Sequence, residues 1–188
     1  MILYLNACVR SESRTKRLAD HVLAGLDDKE VKEVRLWELN LPDPDEAFIN
    51  KRNELSAKSD FSDPLFDHAK DFAAADTIII AAPFWDLSFP AFLKRYLEQI
   101  CVVGLTFFYD EQGSPQTLCK AQKLYYVTTA GGPIYSDVYG FGYVQELGKT
   151  FFHIPDFIEV KAEMLDIVGS DPEAILAEAI RNYDEKYI

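Results

Sequence analysis

The sequence predicts a three-layer α/β domain in which a doubly wound, five-stranded parallel sheet carries helices on both faces. Short apolar runs alternate along the chain with segments that have helical spacing. The run Thr77–Ala82 is β-branched and apolar, as expected of a central parallel strand covered on both sides. Apolar residues then recur at helical spacing from Phe89 to Ile100, and Pro90 lies in the first turn of this amphipathic helix. For five such units we expect the strand order 2-1-3-4-5.

The chain before the central strand is predicted to hold two strands and two helices. Met1–Ala7 is a short apolar run that suits a buried strand. Apolar residues recur at helical spacing through Lys16–Leu26, and those of Val31–Leu39 predict the second strand. Residues 40–63 are polar and irregular, so they predict a long excursion without an element of its own. Helical spacing returns in Leu65–Ala75.

The chain after the amphipathic helix is predicted to hold a hairpin, two strands and two helices. Thr106–Gln116 is typical of a small hairpin with its turn at Gln112–Gly113. Lys123–Thr129 predicts the fourth strand of the sheet. The remaining elements, in chain order, are a helix over Val144–Phe152, a strand over Phe157–Leu165 and a helix over Pro172–Tyr187.

Length and composition predict a single domain that spans residues 1–188, because no linker or internal repeat divides the chain. Apolar residues make up 48%, which excludes general disorder. The net charge of −12 argues against nucleic-acid binding, which needs clustered Lys and Arg. No apolar run reaches the ~18 residues of a membrane span, and no basic leader opens the chain. We therefore expect a cytoplasmic protein that binds neither nucleic acid nor a membrane.

Cysteine and histidine spacing predicts neither a disulfide framework nor a metal site. The three cysteines are widely separated and form no CxxC pair. The three histidines show neither an HExxH motif nor any other zinc-type spacing. A metal ligand set is therefore not predicted.

The predicted topology selects three loops for binding. In an open α/β sheet, ligands bind beyond the carboxyl ends of the strands, at the point where the strand order reverses. That rule points to Cys8–Thr15 after the first strand, Pro83–Phe89 after the third and Ala130–Tyr135 after the fourth. The chemistry of these three loops should therefore indicate the ligand.

The first loop suits an anion. It places the hydroxyls of Ser11, Ser13 and Thr15 just before a helix, whose N-terminal N–H groups attract negative charge. Four basic residues surround it: Arg10, Arg14, Lys16 and Arg17. Ordinary N-capping, which needs only one Ser or Thr, is the alternative. Neither GxxxxGK[ST] nor GxGxxG is present, so a single phosphate fits better than a pyrophosphate.

The other two loops suit a flat ring. Phe84, Trp85 and Leu87 stand together around a lone Asp86, which could form a buried turn, a dimer contact or a platform for an aromatic ligand. Gly131 and Gly132 could form a tight turn or bring bare N–H groups close to a ligand. Taken together, the loops describe a ligand with a phosphate at one end and a flat ring system at the other. Flavin mononucleotide, FMN, has that shape.

Three stretches carry a family resemblance that covers nearly the whole chain: APFWDLSFPAFLKRYLEQICVVGLTFFYDEQG, VTTAGGP and FFHIPDFIEV. In these, the chain resembles the FMN-dependent NADH:quinone oxidoreductases of the azoreductase type, a branch of the flavodoxin-like fold. The resemblance implies an FMN phosphate held by Ser13, Arg14 and Thr15. It also implies a homodimer whose active sites lie at the subunit interface. The expected flavin contacts are Pro83, Phe84, Trp85, Asp86, Leu87, Thr129, Ala130, Gly131 and Gly132.

Three positions depart from the family's usual residues. Cys8 stands where a serine hydroxyl is usual near the phosphate, and Ala130 replaces a residue that is often polar or basic. Asp86 stands where an asparagine is usual, and an ionised carboxylate can only accept hydrogen bonds. Asp86 could accept from the flavin N3–H, or it could cap the following helix with Ser88 as the rival cap. An ionised Asp86 is expected to make the flavin harder to reduce.

The resemblance implies an enzyme that takes electrons from NADH or NADPH and reduces quinones, azo or nitro compounds. Transfer would be ping-pong, with two electrons moving as hydride through FMN. The residues themselves predict no catalytic acid, base or nucleophile. Two alternatives stay open: a flavodoxin-type one-electron carrier, and a non-catalytic FMN-binding or regulatory module.

Overall fold

The computed structural model describes residues 1–26 and 30–188. Its main sheet contains five parallel strands in the order β2-β1-β3-β6-β7, and β4 and β5 form a separate antiparallel pair. With the hairpin strands set aside, this is the predicted 2-1-3-4-5 order, so the predicted fold class is confirmed. The strands are β1 Ile2–Asn6, β2 Val31–Arg35, β3 Thr77–Ala81, β4 Phe107–Tyr109, β5 Pro115–Thr117, β6 Lys123–Thr129 and β7 Asp156–Ala162. The helices are α1 Arg14–Ala24, α2 Glu46–Ala57, α3 Asp67–Ala74, α4 Ala91–Ile100, α5 Phe141–Phe151 and α6 Pro172–Tyr187.

Burial distinguishes the central strands from the edge strands. Every residue of β1 is buried, and β3 and β6 are buried after their first residue, because helices cover both faces. In the edge strand β2 only Val34 is buried, whereas β7 alternates between buried and partly exposed residues over most of its length. The carboxyl ends of the three central strands therefore lie together in the middle of the sheet, where the topology places a ligand.

Two apolar layers hold the helices against the sheet. One layer packs α3, α4 and α5 on the face that carries Leu5, Ile80 and Tyr126. The other packs α1 and α6 on the face that carries Ile79 and Val127. Helix α1 follows β1 and α4 follows the neighbouring parallel strand β3, so both helices begin at the carboxyl edge of the sheet.

Side-chain caps define where several helices begin. Ser13 accepts a hydrogen bond from Lys16 N at the start of α1, and Asp45 accepts one from Phe48 N at the start of α2. Asp171 caps α6, whose first residue is a proline that needs no hydrogen-bond acceptor. The cap at Ser13 places the N-terminus of α1 directly after the first of the three predicted loops.

The structure corrects the prediction for residues 40–63. The segment contains helix α2, Glu46–Ala57, where the sequence predicted an irregular excursion. None of its residues is fully buried, so the helix has no apolar face that periodicity could reveal. The only local signals were Asp45 in the cap position and Glu46 in the first turn.

Other element boundaries shift by a few residues. The second strand ends at Arg35 and continues as a 3₁₀ turn over Leu36–Glu38, and the last strand ends at Ala162. Helix α5 begins at Phe141, three residues before the predicted start, and α4 begins at Ala91 with Pro90 as its cap. These differences leave the predicted elements in place.

The predicted hairpin is present and packs against α5. Phe107 on β4 lies 4.6 Å from Phe151, measured between ring centroids. Gly113 supplies the positive φ, +78°, that its turn requires. Among residues 1–26 and 30–188, no helix is long and apolar enough to cross a membrane, and no cluster of His, Cys, Asp and Glu could hold a metal ion.

Candidate functional site

A cleft of about 170 Å³ opens at the carboxyl edge of the sheet. This volume is below the ~300–1,000 Å³ typical of small-molecule sites, so the cleft encloses only part of a nucleotide-sized ligand. The residues that line it come from all three predicted loops and from the loop after β7. They are Cys8, Val9, Arg10, Glu12, Ser13, Arg14, Thr15, Pro83, Phe84, Trp85, Thr129, Ala130, Gly131, Leu165 and Asp166.

One end of the cleft is polar and buried. The Ser13 hydroxyl oxygen accepts from Lys16 N at 3.2 Å, so its own O–H can donate, either toward the neighbouring Cys8 sulfur or toward a ligand. The hydroxyls of Thr15 and Thr129 share a single hydrogen bond of 2.6 Å, so one of the two keeps a free O–H. The helix also offers unpaired N–H groups in its first turn. This end can therefore surround an anionic group with donors.

The guanidinium of Arg14 is held at the cleft by a fourth loop. It donates to the Leu165 carbonyl at 3.1 Å and to Asp166 Oδ1 at 2.7 Å. The ion pair partly neutralises Arg14, which weakens but does not remove its attraction for an anion, since further N–H donors remain. Sequence reasoning missed both partners because no motif follows β7. Only their position after the last strand could have identified them.

Cys8 lies against the sheet as a neutral thiol. Its Sγ is 3.6 Å from the Ala81 carbonyl, and burial raises the pKa of Cys8 to about 11. At neutral pH the thiol is therefore protonated. The cysteine that replaces the expected serine adds no negative charge beside the anion site.

The aromatic loop is built on a two-residue turn. Trp85 and Ser88 exchange backbone hydrogen bonds of 2.8 and 2.9 Å, and φ is positive at both Asp86 (+50°) and Leu87 (+69°). Two positive φ values are typical of a type I′ turn, which Asp tolerates but a bulky leucine does not. Both residues of the strained turn, Asp86 and Leu87, lie outside the lining of the cleft.

Neither proposed cap of α4 is present. Pro90 occupies the cap position, and no side chain makes a capping hydrogen bond there. Ser88 instead donates from its hydroxyl to the Tyr139 carbonyl, which joins the second loop to the segment between the third loop and α5. The alternative that Asp86 or Ser88 caps the helix is therefore wrong.

The glycines of the third loop differ in their surroundings. A Cβ on Gly131 would lie 2.5 Å from Asp166 Oδ2, whereas a Cβ on Gly132 would meet nothing within 4 Å. Gly131 is thus required by the loop after β7, whose Asp166 N donates to the Gly131 carbonyl at 2.9 Å. Gly132 faces open space and leaves room for a ligand, although it is outside the cleft lining.

Lys161 holds the continuation of the third loop. Its Nζ lies 3.3 Å from Glu163, 3.5 Å from Glu159 and 3.6 Å from Asp137. Glu163 also accepts from Ile134 N at 2.8 Å. Burial raises the pKa of Glu159, since the attraction of Lys161 only partly offsets the loss of solvent. This ion cluster ties the loop to β7.

Exposed apolar side chains occur on the aromatic loop, whose Trp85 lines the cleft, and on the segment that follows β6, and we call this set the apolar rim. It consists of Trp85, Leu87, Tyr135, Val138 and Tyr139, with exposed fractions from 41% to 85%. Phe89, in contrast, is buried and packs on Tyr143, with 5.7 Å between the ring centroids. An apolar surface of this kind can receive a flat ring, a substrate or a partner chain.

Most of the predicted binding residues therefore lie together around the cleft. Of the twelve, only Asp86, Leu87 and Gly132 are outside its lining. The arrangement couples donors for an anionic group to an apolar surface, at the edge where the topology places ligands. Which atoms contact a ligand stays a prediction.

The comparisons agree with this arrangement. A family model described as flavodoxin-like fold matches residues 1–187. An FMN-dependent NADH:quinone oxidoreductase of Coprothermobacter proteolyticus is 33% identical over 98% of this chain and 96% of its own length. FMN-dependent NADH:quinone oxidoreductase 2 of Clostridium acetobutylicum is 43% identical, over 63% of this chain and 61% of that protein.

Solved structures also share the fold. An azoreductase from Bacillus anthracis superposes with a TM-score of 0.82 at 21% identity, covering 98% of this chain and 97% of its own. An FMN-dependent NADH-azoreductase from Bacillus anthracis, in complex with FMN, gives 0.80 at 20% identity over 98% and 96%. At these identities the likeness concerns the fold alone.

Proposed function

Because this chain belongs to the FMN-dependent NADH:quinone oxidoreductases of the flavodoxin-like fold, we propose that it reduces quinones with electrons from NADH through bound FMN. The observation that carries this function is the cleft itself. Buried hydroxyls at the N-terminus of α1 and an exposed apolar rim meet on one edge of the sheet. The comparisons favour such an enzyme over a one-electron carrier or a non-catalytic module.

The residues present fit FMN. The phosphate end has the O–H of Ser13, one O–H from the Thr15–Thr129 pair and helix N–H groups as donors. The ring end has Phe84 and Trp85 on one loop and the open space beside Gly132 on another. Both ends of an amphipathic cofactor therefore find matching chemistry.

When bound, FMN supplies the two-electron redox chemistry, accepting electrons from a nicotinamide and passing them to an acceptor. The protein binds and orients the participants. Backbone N–H groups of Gly131 and Gly132 would stabilise negative charge that develops at their side of the site. The neutral thiol of Cys8 and the ion-paired Asp166 keep uncompensated charge away from the phosphate.

NADH is the expected donor. The chain carries a net charge of −12, and the carboxylates of Glu12, in the cleft lining, and of Asp86, next to Trp85, are both exposed. These charges disfavour the additional phosphate of NADPH. For the acceptor, an open apolar rim discriminates little among flat molecules, so quinones, azo compounds and nitro compounds should all react.

A homodimer would complete the site. The five side chains of the apolar rim are all exposed, and a second copy that covers them would exclude water from the ring end. Sedimentation velocity should therefore report a dimer, and Tyr139→Ser should weaken it. A cytoplasmic location accords with three cysteines that are all free thiols.

The test begins with FMN-free protein. FMN is titrated in while its fluorescence is followed, and the complex is then mixed anaerobically with NADH or NADPH. We expect FMN binding, bleaching that is faster with NADH, and turnover with menadione or methyl red. Failure to bind FMN, or binding without reduction by either nucleotide, would contradict the proposed function.

A further inference from the structure

We propose that Asn6, oriented by Glu33, is the positioning residue for the loop that binds the phosphate. This assignment rests on the proposed function for the identity of the ligand. Asn6 is the last residue of β1 and is 1% exposed, and it does not line the cleft. Its role is therefore exerted through the loop that follows it.

The hydrogen bonds of Asn6 allow one orientation of its amide. Nδ2 donates to Glu33 Oε1 at 2.7 Å, and Oδ1 accepts from Cys8 N at 2.9 Å. An ionised carboxylate cannot donate, so Glu33 selects the amide NH₂ and directs Oδ1 toward Cys8. Glu33 on β2 therefore orients the Asn6 side chain, which in turn accepts the hydrogen bond from Cys8 N at the start of the loop.

The loop depends on this contact because little else holds its start. Ala7 N makes the last backbone bond to the sheet, with the Ala81 carbonyl at 2.8 Å, and the buried Cys8 Sγ lies 3.6 Å from the same carbonyl. Residues 11 and 12 form a local turn, and among the described residues no hydrogen bond joins the backbone of residues 9–12 to another strand or helix. The next anchor is Ser13 at the cap of α1. Asn6 and Ser13 therefore fix the two ends of the phosphate loop.

Glu33 is itself held on the edge strand. Arg35 Nε lies 3.7 Å from Glu33 Oε2, the oxygen that Asn6 does not use. The contacts run from Arg35 through Glu33 and Asn6 to the Cys8 N–H. The pattern requires a neutral donor at position 6, because an acidic side chain there would face the carboxylate of Glu33 at contact distance.

An exchange of chemical groups tests the assignment. Asn6→Asp keeps an oxygen for Cys8 N but sets two carboxylates against each other, and FMN affinity should fall about tenfold or more. Glu33→Gln can still accept from Asn6 and should bind FMN nearly as well as the natural protein. In the double variant Asn6→Asp/Glu33→Gln the new amide donates to the new carboxylate, so affinity should recover. Asn182→Asp, at an exposed position of helix α6, is the matched control.

Two readouts separate this inference from the proposed function. FMN affinity is measured by fluorescence, and hydrogen exchange of the Cys8 amide is measured by NMR in FMN-free protein. Support requires that Asn6→Asp lowers FMN affinity and speeds Cys8 exchange, and that the double variant restores both to the values of the natural protein. Recovery of neither, or faster Cys8 exchange with unchanged FMN affinity, would overturn the assignment. If the natural protein binds no FMN, the proposed function fails, while Cys8 exchange still decides whether Asn6 holds the loop.

Should Asn6→Asp fail to fold, Asn6→Ser replaces it. Serine can accept from Cys8 N but is too short to reach Glu33, so it separates the two bonds of Asn6. It should keep part of the Cys8 protection and show an intermediate affinity for FMN. An affinity equal to that of the natural protein would overturn the role of Glu33.

Discussion

The two ends of the cleft are organised in different ways. At the polar end Ser13, Thr15 and Thr129 are buried and hydrogen-bonded before any ligand arrives. At the apolar end Leu87 and Tyr135 are exposed, and their side chains make none of the hydrogen bonds that hold the two loops. The difference indicates that the protein prearranges the recognition of an anion and leaves the apolar surface to be covered by substrate or partner.

The largest effect should come from a charge placed at the polar end. Ser13→Asp keeps a good helix cap but opposes the phosphate, so FMN affinity should fall about 100-fold or more. Ser13→Asn keeps the cap without charge and should stay within about tenfold of the natural protein. Riboflavin, which lacks the phosphate, should bind both variants alike. Equal losses for the two variants would show that this end does not hold an anion.

At the apolar end, Asp86→Asn should change the flavin rather than its binding. Both residues tolerate the positive φ of position 86, so the turn is retained. An ionised Asp86 at ~8 Å would oppose reduction by about 2 kcal/mol, so Asp86→Asn should raise the two-electron midpoint by roughly 40 mV. Spectroelectrochemistry checks this, with Asp45→Asn at the α2 cap as the control. An unchanged midpoint would remove the idea.

Substitutions at Gly131 and Gly132 can distinguish an effect on protein packing from an effect on ligand contact. Gly131→Ala must displace Asp166 and with it the ion pair to Arg14, so we expect about tenfold weaker FMN binding and lower stability without FMN. Gly132→Ala meets no protein atom, so its FMN-free melting temperature should not fall. If Gly132→Ala also leaves FMN affinity unchanged, the ring does not approach that glycine.

At the strained turn, in contrast to Gly131, we expect a substitution to raise the stability of the protein slightly. Leu87→Gly removes a bulky residue at φ +69° and should stabilise the fold by up to about 1 kcal/mol. FMN affinity should hardly change, whereas KM for the acceptor should rise because the apolar rim loses a side chain. Leu118→Gly, at a similarly exposed leucine without positive φ, should destabilise. A lower melting temperature for Leu87→Gly would mean that the side chain contributes more than the strain costs.

The smallest expected effect on stability concerns Glu159, a member of the ion cluster that holds the third loop. The folded-state pKa of Glu159 is raised above its unfolded value, so the stability of the natural protein declines as pH rises through that folded pKa. Glu159→Gln does not titrate, and its stability relative to the natural protein should increase over the same rise, by less than about 1 kcal/mol. Urea unfolding at several pH values checks this, with exposed Glu178→Gln as the control. A pH-independent difference would contradict the assignment.

The structure could be predicted best where a single property of the residues, such as burial on both faces, determines the local structure. Buried strands such as Thr77–Ala81 carry apolar residues on both faces, so composition alone reveals them, and the parallel order then places the site. Helix α2 escaped prediction because no face of it is buried. The polar end was predictable from hydroxyls that precede a helix.

The rest of the site depends on contacts between distant segments. Asp166 pairs with Arg14 across the fold, and nothing near either residue in the sequence announces the other. The same holds for Asn6 and Glu33, which meet only because β1 and β2 are neighbours in register. The turn at Asp86–Leu87 contains no glycine, so its positive φ values could not be read from residue type.

The hydroxyl pair of Thr15 and Thr129 has a consequence for the order in which the molecule is assembled. These residues are 114 positions apart, and β3 lies between the strands whose loops they join. Their hydrogen bond can form only after β1, β3 and β6 have paired. Such pairing is slow because the strands are separated by long stretches of chain. A nascent chain released from synthesis before β6 would therefore have no complete pocket. Binding of FMN by a growing chain would therefore report that β1, β3 and β6 have already paired.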